Sequence, residues 1–554
     1  MPPRGEETIE LPYSSKSKSK SSFVFSKALK PDRDIVTVAV VLNADEGLLK
    51  ADSVIADAQY VDDKKDVVVL ENTGKILDIS DDRHVAFNTE GPIIKFCRKS
   101  GQLVSYRVDG KEFLLAPMTL DAYRAPSSNE VGLGQRWASY GLRDLVQTAK
   151  SISSVTVNKD GSMSFVVVAD VRGRQKERLV GFGGNNGKPC EIIPAGPVAP
   201  FDPHFVLAQK WTVFADGELA CQSEIRPRGR VVELARIGYR FTLDKTFDSV
   251  EWFGAGPFEN YPDRKSGAFL GCWSKSVAEM VEGYGKPQDM GNREDTNQVG
   301  LSGTAVYPFI VTTLGEPFAF SAIPYSPTEL TLAMHPHTLP EVTKTELGIF
   351  AAVRGLGGAS CGPGPLGRDI IRNNKTFTLD FVIDKYGFMG SCRRVYSLPK
   401  AELPADVRTG EDIMPVVVAC SSAEPGEGSA EHLVDGDPST YWHSQYGVTL
   451  TKYPHSVTID LGRTVEGIAA VFQQRHYGAN GNIKDFKFEV SKDGKIWETQ
   501  LESKLRGGPG EQKFAFKDSI QFRFWRFTGL NEHGGNEFAS LAEVTIVEKK
   551  GAVK

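Results

Sequence analysis

The chain has 554 residues, 40% hydrophobic and 24% charged, with 65 basic against 70 acidic side chains and a net charge of −5. These are globular values at a length that calls for several domains, and the charge is too mild and too mixed for a nucleic-acid surface. The opening MPPRGEETIELPYSSKSKSKSS has no apolar h-region, and no later run reaches the roughly 18 apolar residues of a spanning helix, so a soluble chain without a signal peptide is expected.

In chain order the elements read as an all-β protein. SSKSKSKSS (14–22) is a low-complexity, solvated connection, and DIVTVAVVL (34–42) is a β-branched strand. The charged VDDKKD (61–66), followed by LENTGKILDIS (70–80), marks a boundary. Asp-Gly pairs in YRVDGKEFLL, VTVNKDGSMSFVVV, WTVFADGELACQSEI and FEVSKDGKIWE predict type I′ hairpins, because both residues tolerate positive φ. Amphipathic helices are scarce, and ASYGLRDLV (138–146) predicts two turns. GFGGNNGKP (181–189) lacks the spacing of a phosphate loop and reads as a hairpin connection. SLPKAELPADVRTGEDIMP (397–415) is Pro-rich, charged and aperiodic, as a linker is. The expected organisation is a short β unit over 1–63, a large one over 64–396, a linker at 397–411 and a last β unit over 412–554. Cys97, Cys190, Cys221, Cys272, Cys361, Cys392 and Cys420 are odd in number and scattered, which predicts buried free thiols.

Five blocks of the middle unit are rich in Gly, Pro and charge. They are LDAYRAPSSNEVG (120–132), GAGPFENYPDRKSG (254–267), YGKPQDMGNREDTNQV (284–299), IPYSPTELTLAMHPHTL (323–339) and RGLGGASCGPGP (354–365). In this order they resemble the small-chain domain of family 2 β-galactosidases. The resemblance implies a mutarotase-like supersandwich, preceded by an immunoglobulin-like remnant. It also implies that the catalytic barrel belongs to another part of the parent enzyme, since a retaining glycosidase needs two carboxylates about 5–5.5 Å apart and the family carries both on that barrel. No catalytic residue is therefore assigned to this chain. Three positions depart from the family pattern: Cys361 follows Ser360 where an aromatic is expected, Asp289 replaces a Glu, and Ser128 replaces an acid. By residue type Glu259, Asp263, Asp289, His335 and His337 could serve sugar-ring epimerisation, which needs an acid and a base. The alternative is structural: Asp263 paired with Arg264 or Arg293, and His-Pro-His as a turn.

The last unit carries HLVDGDPSTYWHS (432–444), YPHSVTIDLGRTVEGIAAVFQQR, GNIKDFKFEVSKDGKIWE, FRFWRFTGL and ASLAEVTIV. This set resembles the discoidin, or coagulation-factor C-type, domain and its family 32 carbohydrate-binding relatives, which implies a jelly-roll sandwich. The resemblance assigns a structural calcium ion to Asp435, Asp437, Thr440 and Glu543, oxygen donors of the kind a hard cation takes. An ion-free Asx-type turn is the alternative. It assigns galactose contacts to His443, Arg475 and Asn480, with Tyr446, Tyr477 and Phe538 as aromatic neighbours, while Trp442 belongs to the core. The expected function is the non-catalytic C-terminal part of a β-galactosidase-like hydrolase. Its partners are galactose-containing glycans and the parent's catalytic domain, and the parent is expected to be secreted or periplasmic. A stand-alone lectin-like protein and a mutarotase-type epimerase are the alternatives.

Overall fold

A computed structural model of the chain describes residues 23–549, apart from 31–32, 42–44, 46–47, 52, 62–65, 182–189, 199–201, 305, 360, 385–393, 407–414, 426–427, 436–439, 476–477 and 479. The serine–lysine run, most of the glycine-rich stretch, Asp437 and Tyr477 thus lie outside the described residues. Strands dominate what is described, and the all-β expectation holds.

The β-branched run is a strand, Arg33–Val41, at the centre of an antiparallel sheet with Phe23–Lys30 and Val54–Val61. Gln59 ties this sheet to the body. Its amide donates to Leu270 O and accepts from Leu270 N, both at 2.9 Å, and so caps the edge strand Phe269–Ser276 of the largest sheet. Asp66–Val69 and Arg394–Ser397, from the two ends of the middle unit, pair in parallel.

The middle unit is built on an eleven-stranded sheet, a five-stranded sheet and a meander running from Leu77–Asp78 to Lys111–Glu112. In the large sheet Phe165, Trp211, Cys221 and Phe381 form one cross-strand row, each at most 2% exposed. Phe96 of the meander meets Trp211 with ring centroids 4.9 Å apart, and Tyr239 of the five-stranded sheet meets Phe381 at 5.9 Å. Both smaller sheets therefore pack on the same face of the large one, and each ring so buried contributes about 1.5–3 kcal/mol. Side chains alternate along a strand, so Ala220 and Val382 point to the opposite face, where Leu70, Phe214 and Tyr396 join them in a smaller core.

Two local expectations are corrected. All four Asp-Gly pairs do turn hairpins, but only Asp109–Gly110 has both φ positive, at 48° and 81°. In the other three only the Gly is left-handed, because the Asp carboxylate caps nearby amides instead. Asp160 accepts from Ser162 N, and Asp493 from Lys495 N and Ile496 N. The helix is Val131–Ser139, not 138–146, and Leu145–Ile152 is a strand. Its glycines hide the helical pattern, yet one is required: a Cβ on Gly134 would stand 2.3 Å from Pro126 Cγ.

The cysteines also differ from expectation. Cys190 and Cys221 are buried free thiols, but Cys361 is exposed, Cys97 and Cys420 are half-buried, and Cys272 is disulfide-bonded. The first part of the Pro-rich segment lies along strand Leu219–Arg228. Gln222 donates to Pro399 O at 3.1 Å, Arg226 to Pro404 O at 2.6 Å, and Arg228 pairs with Asp406.

In the last unit the long strands His455–Gln473 and Glu511–Gly529 pair at the centre of a six-stranded sheet. Register shifts at Asp460/Val465 and Gly467/Ala469 bend them. Trp442, Phe472, Phe488, Trp525 and Phe527, all fully buried, form its core.

A substitution tests the tightest strand contact. A Cβ on Gly238 would lie 2.0 Å from Ile349 O in the five-stranded sheet, and backbone cannot yield as a side chain does. Gly238→Ala should destabilise the middle unit by at least about 2 kcal/mol, read as a lowered denaturant midpoint.

Candidate functional site

The charged loops of the middle unit converge, and their side chains are engaged with one another. Arg124, fully buried, donates to Glu130 at 3.1 and 2.5 Å and to Arg354 O at 2.7 Å, while Arg354 reaches Glu130 at 3.0 Å. Burial pushes the Glu130 carboxyl up, but these guanidinium groups outweigh it and hold it below the ordinary range. Asp121 behaves alike, with burial overcome by Arg236 at 2.9 Å and Arg240 at 2.6 Å. For Asp289 burial wins and the carboxyl is raised, although Arg236 lies at 3.1 Å and the Tyr261 hydroxyl donates at 3.0 Å.

Glu259 receives Arg264 at 2.5 Å, the Tyr284 hydroxyl and Gly291 N. Asp263 pairs with neither arginine expected for it. Its carboxylate accepts from Leu356 N at 3.0 Å and Gly357 N at 2.7 Å, because the fifth block folds back over it. Arg293 is fully buried against Trp252 and donates to Asn292 O and Pro257 O. Burial pulls it down to about 10. His335 and His337 are exposed on a short turn with rings stacked 5.3 Å apart, as the turn reading expects. Ser128 and Cys361 are both exposed. These loops form an interlocked frame in which the acids serve as anchors.

A different arrangement sits at one end of the last unit. Trp442 is fully buried and donates to Ser422 O at 2.9 Å, so alternation turns Tyr441 and His443 the other way. His443 Nδ1 lies 2.7 Å from Ser444 O, which makes Nδ1 the protonated nitrogen. The His443 ring is 4.7 Å from Tyr446 and 5.4 Å from Phe538. Arg475 stacks its guanidinium 4.0 Å over Tyr441 and donates to Asn480 O at 3.4 Å. Five of the six expected contact residues are thereby described in two linked groups: His443, Tyr446 and Phe538 in one, Arg475 and Asn480 in the other. Tyr441, whose ring centroid is 6.4 Å from that of His443, joins them. Tyr446 is exposed, and apolar ring edges stand beside guanidinium, imidazole and amide groups. Such a mixture can meet both the C–H face and the hydroxyls of a small polar ring.

Tyr441 and Glu424 were not anticipated. Alternation from Trp442 could have given Tyr441. Glu424 accepts from Tyr446 N and Gly447 N across a long sequence gap that leaves no local signal.

The turn beside this site has oxygen donors only. Thr440 Oγ1 donates to Asp435 Oδ2 at 2.8 Å, and the 3-10 turn Ala430–Val434 packs against the strand Glu543–Glu548. The donor chemistry at Asp435, Thr440 and Glu543 fits a hard cation. Asp437 lies outside the described residues, and among those described no three His, Cys, Asp or Glu side chains gather as a metal cluster.

The family model described as beta galactosidase small chain matches residues 89–383, more than half of the chain. The chain belongs to this family. A second model, the F5/8 type C domain, matches residues 417–544, so the small-chain unit is followed by an F5/8 type C module. Among curated proteins, a beta-galactosidase of Arthrobacter sp. is 36% identical over 254 residues, covering 44% of this chain and 24% of that protein. One from Kluyveromyces lactis is 28% identical over 353 residues, covering 61% and 32%. One from Priestia megaterium is 28% identical over 265 residues, covering 48% and 22%. The chain therefore spans at most about a third of the length of these relatives. Among solved structures, CpGH89CBM32-5 from Clostridium perfringens, in complex with GalNAc-β-1,3-galactose, is 27% identical with a TM-score of 0.22, covering 24% of this chain and 94% of that one. The C-terminal domain of a chitobiase from Bacteroides fragilis is 25% identical with a TM-score of 0.23, covering 24% and 93%.

One group in the small-chain unit gives a pH test. Burial raises the Glu294 carboxyl from 4.5 to about 7, although Asn292 donates to it at 2.7 Å. The folded state thus holds a proton that the unfolded chain releases. Stability from this group is full below 4.5 and is lost as pH rises through about 7. Glu294→Gln should melt like the parent near pH 4.5 and at a higher temperature above pH 7. Parallel melting curves at all pH values would contradict this.

Proposed function

We propose that this chain is a non-catalytic C-terminal part of a β-galactosidase-like glycoside hydrolase. Its small-chain unit supports a catalytic domain carried elsewhere in the parent enzyme, and its F5/8 type C module binds galactose-containing glycans. The observation that carries the binding reading is the cluster of His443, Tyr446 and Phe538 beside the Arg475–Tyr441 stack. A galactose ring would lay its C–H face on the aromatic wall and present its hydroxyls to the Arg475 donors and the His443 edge. Asn480, and Tyr477 outside the described residues, would complete the rim.

The scaffold reading rests on the membership of the small-chain unit and on its engaged carboxylates. Glu259 and Asp289 are both nearly inaccessible and already hold Arg264 and Arg236. Weak glycan contact would raise the substrate concentration around the parent enzyme by tethering. Among the described residues no helix is long and apolar enough to cross a membrane.

Calorimetric titration with galactose-terminated oligosaccharides should give heat with the parent chain. Arg475→Ala should weaken binding at least about tenfold, or roughly 1.4 kcal/mol. Absence of heat with any galactosyl glycan would remove the binding reading, and rapid cleavage of a chromogenic galactoside by this chain alone would remove the scaffold reading.

The module further has a calcium ion held by Asp435, Asp437, Thr440 and Glu543, in a structural role. The alternative Asx-type turn would need no ion. Chelation should lower the melting temperature of the module, added calcium should restore it, and Asp435→Asn should abolish the difference. Identical melting with and without chelator would favour the ion-free turn.

A further inference from the structure

The aromatic wall has a backing that accounts for its geometry. Glu424 Oε2 accepts two consecutive loop amides, Tyr446 N at 2.7 Å and Gly447 N at 2.9 Å. The same residue is bound to the His443 strand through the backbone: Glu424 N donates to His443 O at 2.8 Å, and His443 N donates to Gly428 O at 3.2 Å. One residue therefore joins the strand carrying His443 to the segment carrying Tyr446.

Two glycines make room for it. A Cβ on Gly447 would stand 2.4 Å from Glu424 Oε1, and one on Gly428 would stand 2.7 Å from His443 O and 3.0 Å from Glu424 Cβ. Any larger residue at either position would displace the carboxylate or the strand. Tyr446 itself is exposed, so its ring gains little from burial, and its position beside His443 and Phe538 depends on its backbone being held.

We propose that Glu424 is a positioning residue of the glycan site: its carboxylate clamps the 446–447 segment and thereby holds the Tyr446 ring as one wall of the pocket. This deepens the glycan-binding reading and rests on it. The clamp organises the site before any sugar arrives, so the ordering cost of that wall is met on folding rather than on binding. Both amides land on a single oxygen. A glutamine carbonyl could therefore replace the carboxylate oxygen, whereas alanine could not.

The test has two readouts on the full chain. Peptide-resolved deuterium exchange over residues 445–451, without sugar, should speed up at least about tenfold in Glu424→Ala and in Gly447→Ala, and return most of the way to parent rates in Glu424→Gln. Affinity for a galactose-terminated oligosaccharide should fall about tenfold in the first two variants and recover in the third, with melting temperatures close to the parent's. Exchange unchanged in Glu424→Ala would overturn the clamp, whatever the sugar does. Faster exchange with unchanged affinity would overturn its role in the site. A parent chain that binds no glycan would remove the glycan reading and with it the positioning role, while the exchange rates would still decide whether the clamp exists.

Discussion

The arrangement of the small-chain unit depends on one buried ion triad, Arg124–Glu130–Arg354. Arg124 and Glu130 have fully buried side chains, and Arg354 is nearly so. Taking three such charges out of water is costly, and the cost is offset only where the geometry is good and the remaining donors are satisfied. Arg124 and Arg354 meet that condition by donating also to the carbonyls of residues 354 and 355. The first and fifth loops are thus held to each other by groups that cannot separate without leaving a charge stranded in the protein. Asp263, bridging to Leu356 N and Gly357 N, and Asn129, donating to Gly357 O at 2.6 Å, lock the same loops from the second and first blocks.

That constraint separates the two units by kind. In the small-chain unit, acids of the type a sugar chemist would look for are consumed in holding loops, and the departures at Ser128 and Cys361 fall on exposed positions outside the triad. A frame of this sort is fit to present a surface. In the module, by contrast, the polar groups at the loop end stand beside exposed or half-exposed aromatic rings, with Trp442 and Trp525 buried behind them. The core there is closed by aliphatic and aromatic packing alone, which leaves Arg475, His443 and Tyr446 available to face outward.

Much of this was legible in the sequence because period-two alternation and turn chemistry are local. The strand at residue 34, the four hairpins, the burial of Trp442 and the turn at His335–His337 follow from a few adjacent residues. The errors arise where a distant contact decides. Gly134 weakens the helix signal in VGLGQRWAS, yet Pro126 demands a glycine there. Asp263 stands next to Arg264 in sequence, but the returning loop at 356–357 offers two amides in better geometry. The disulfide state of Cys272 and the reach of Glu424 to residues 446 and 447 have no local signature at all. The site residues taken from the family pattern proved to be neighbours in two groups, which spacing alone could not have revealed.

The Pro-rich segment shows how such a distant contact changes a functional argument. Composition gives a linker, and a freely moving linker of that length would let the module sweep a wide volume. Gln222, Arg226 and Arg228 stand at alternate positions of one strand and so present a row of donors on one face, spaced to meet the carbonyls of Pro399 and Pro404 and the carboxylate of Asp406. Arg226 is also gripped by Glu224 at 2.7 Å, which fixes its guanidinium in that row. The three donors are nearly inaccessible, although the strand lies on the outer side of the large sheet. Prolines suit this role, because their missing amides leave no donor to satisfy while their carbonyls accept. The segment up to Asp406 therefore belongs mechanically to the small-chain unit. The effective tether begins after it, and its shorter reach raises the local concentration at which a module bound to a glycan would hold the rest of the enzyme near its substrate.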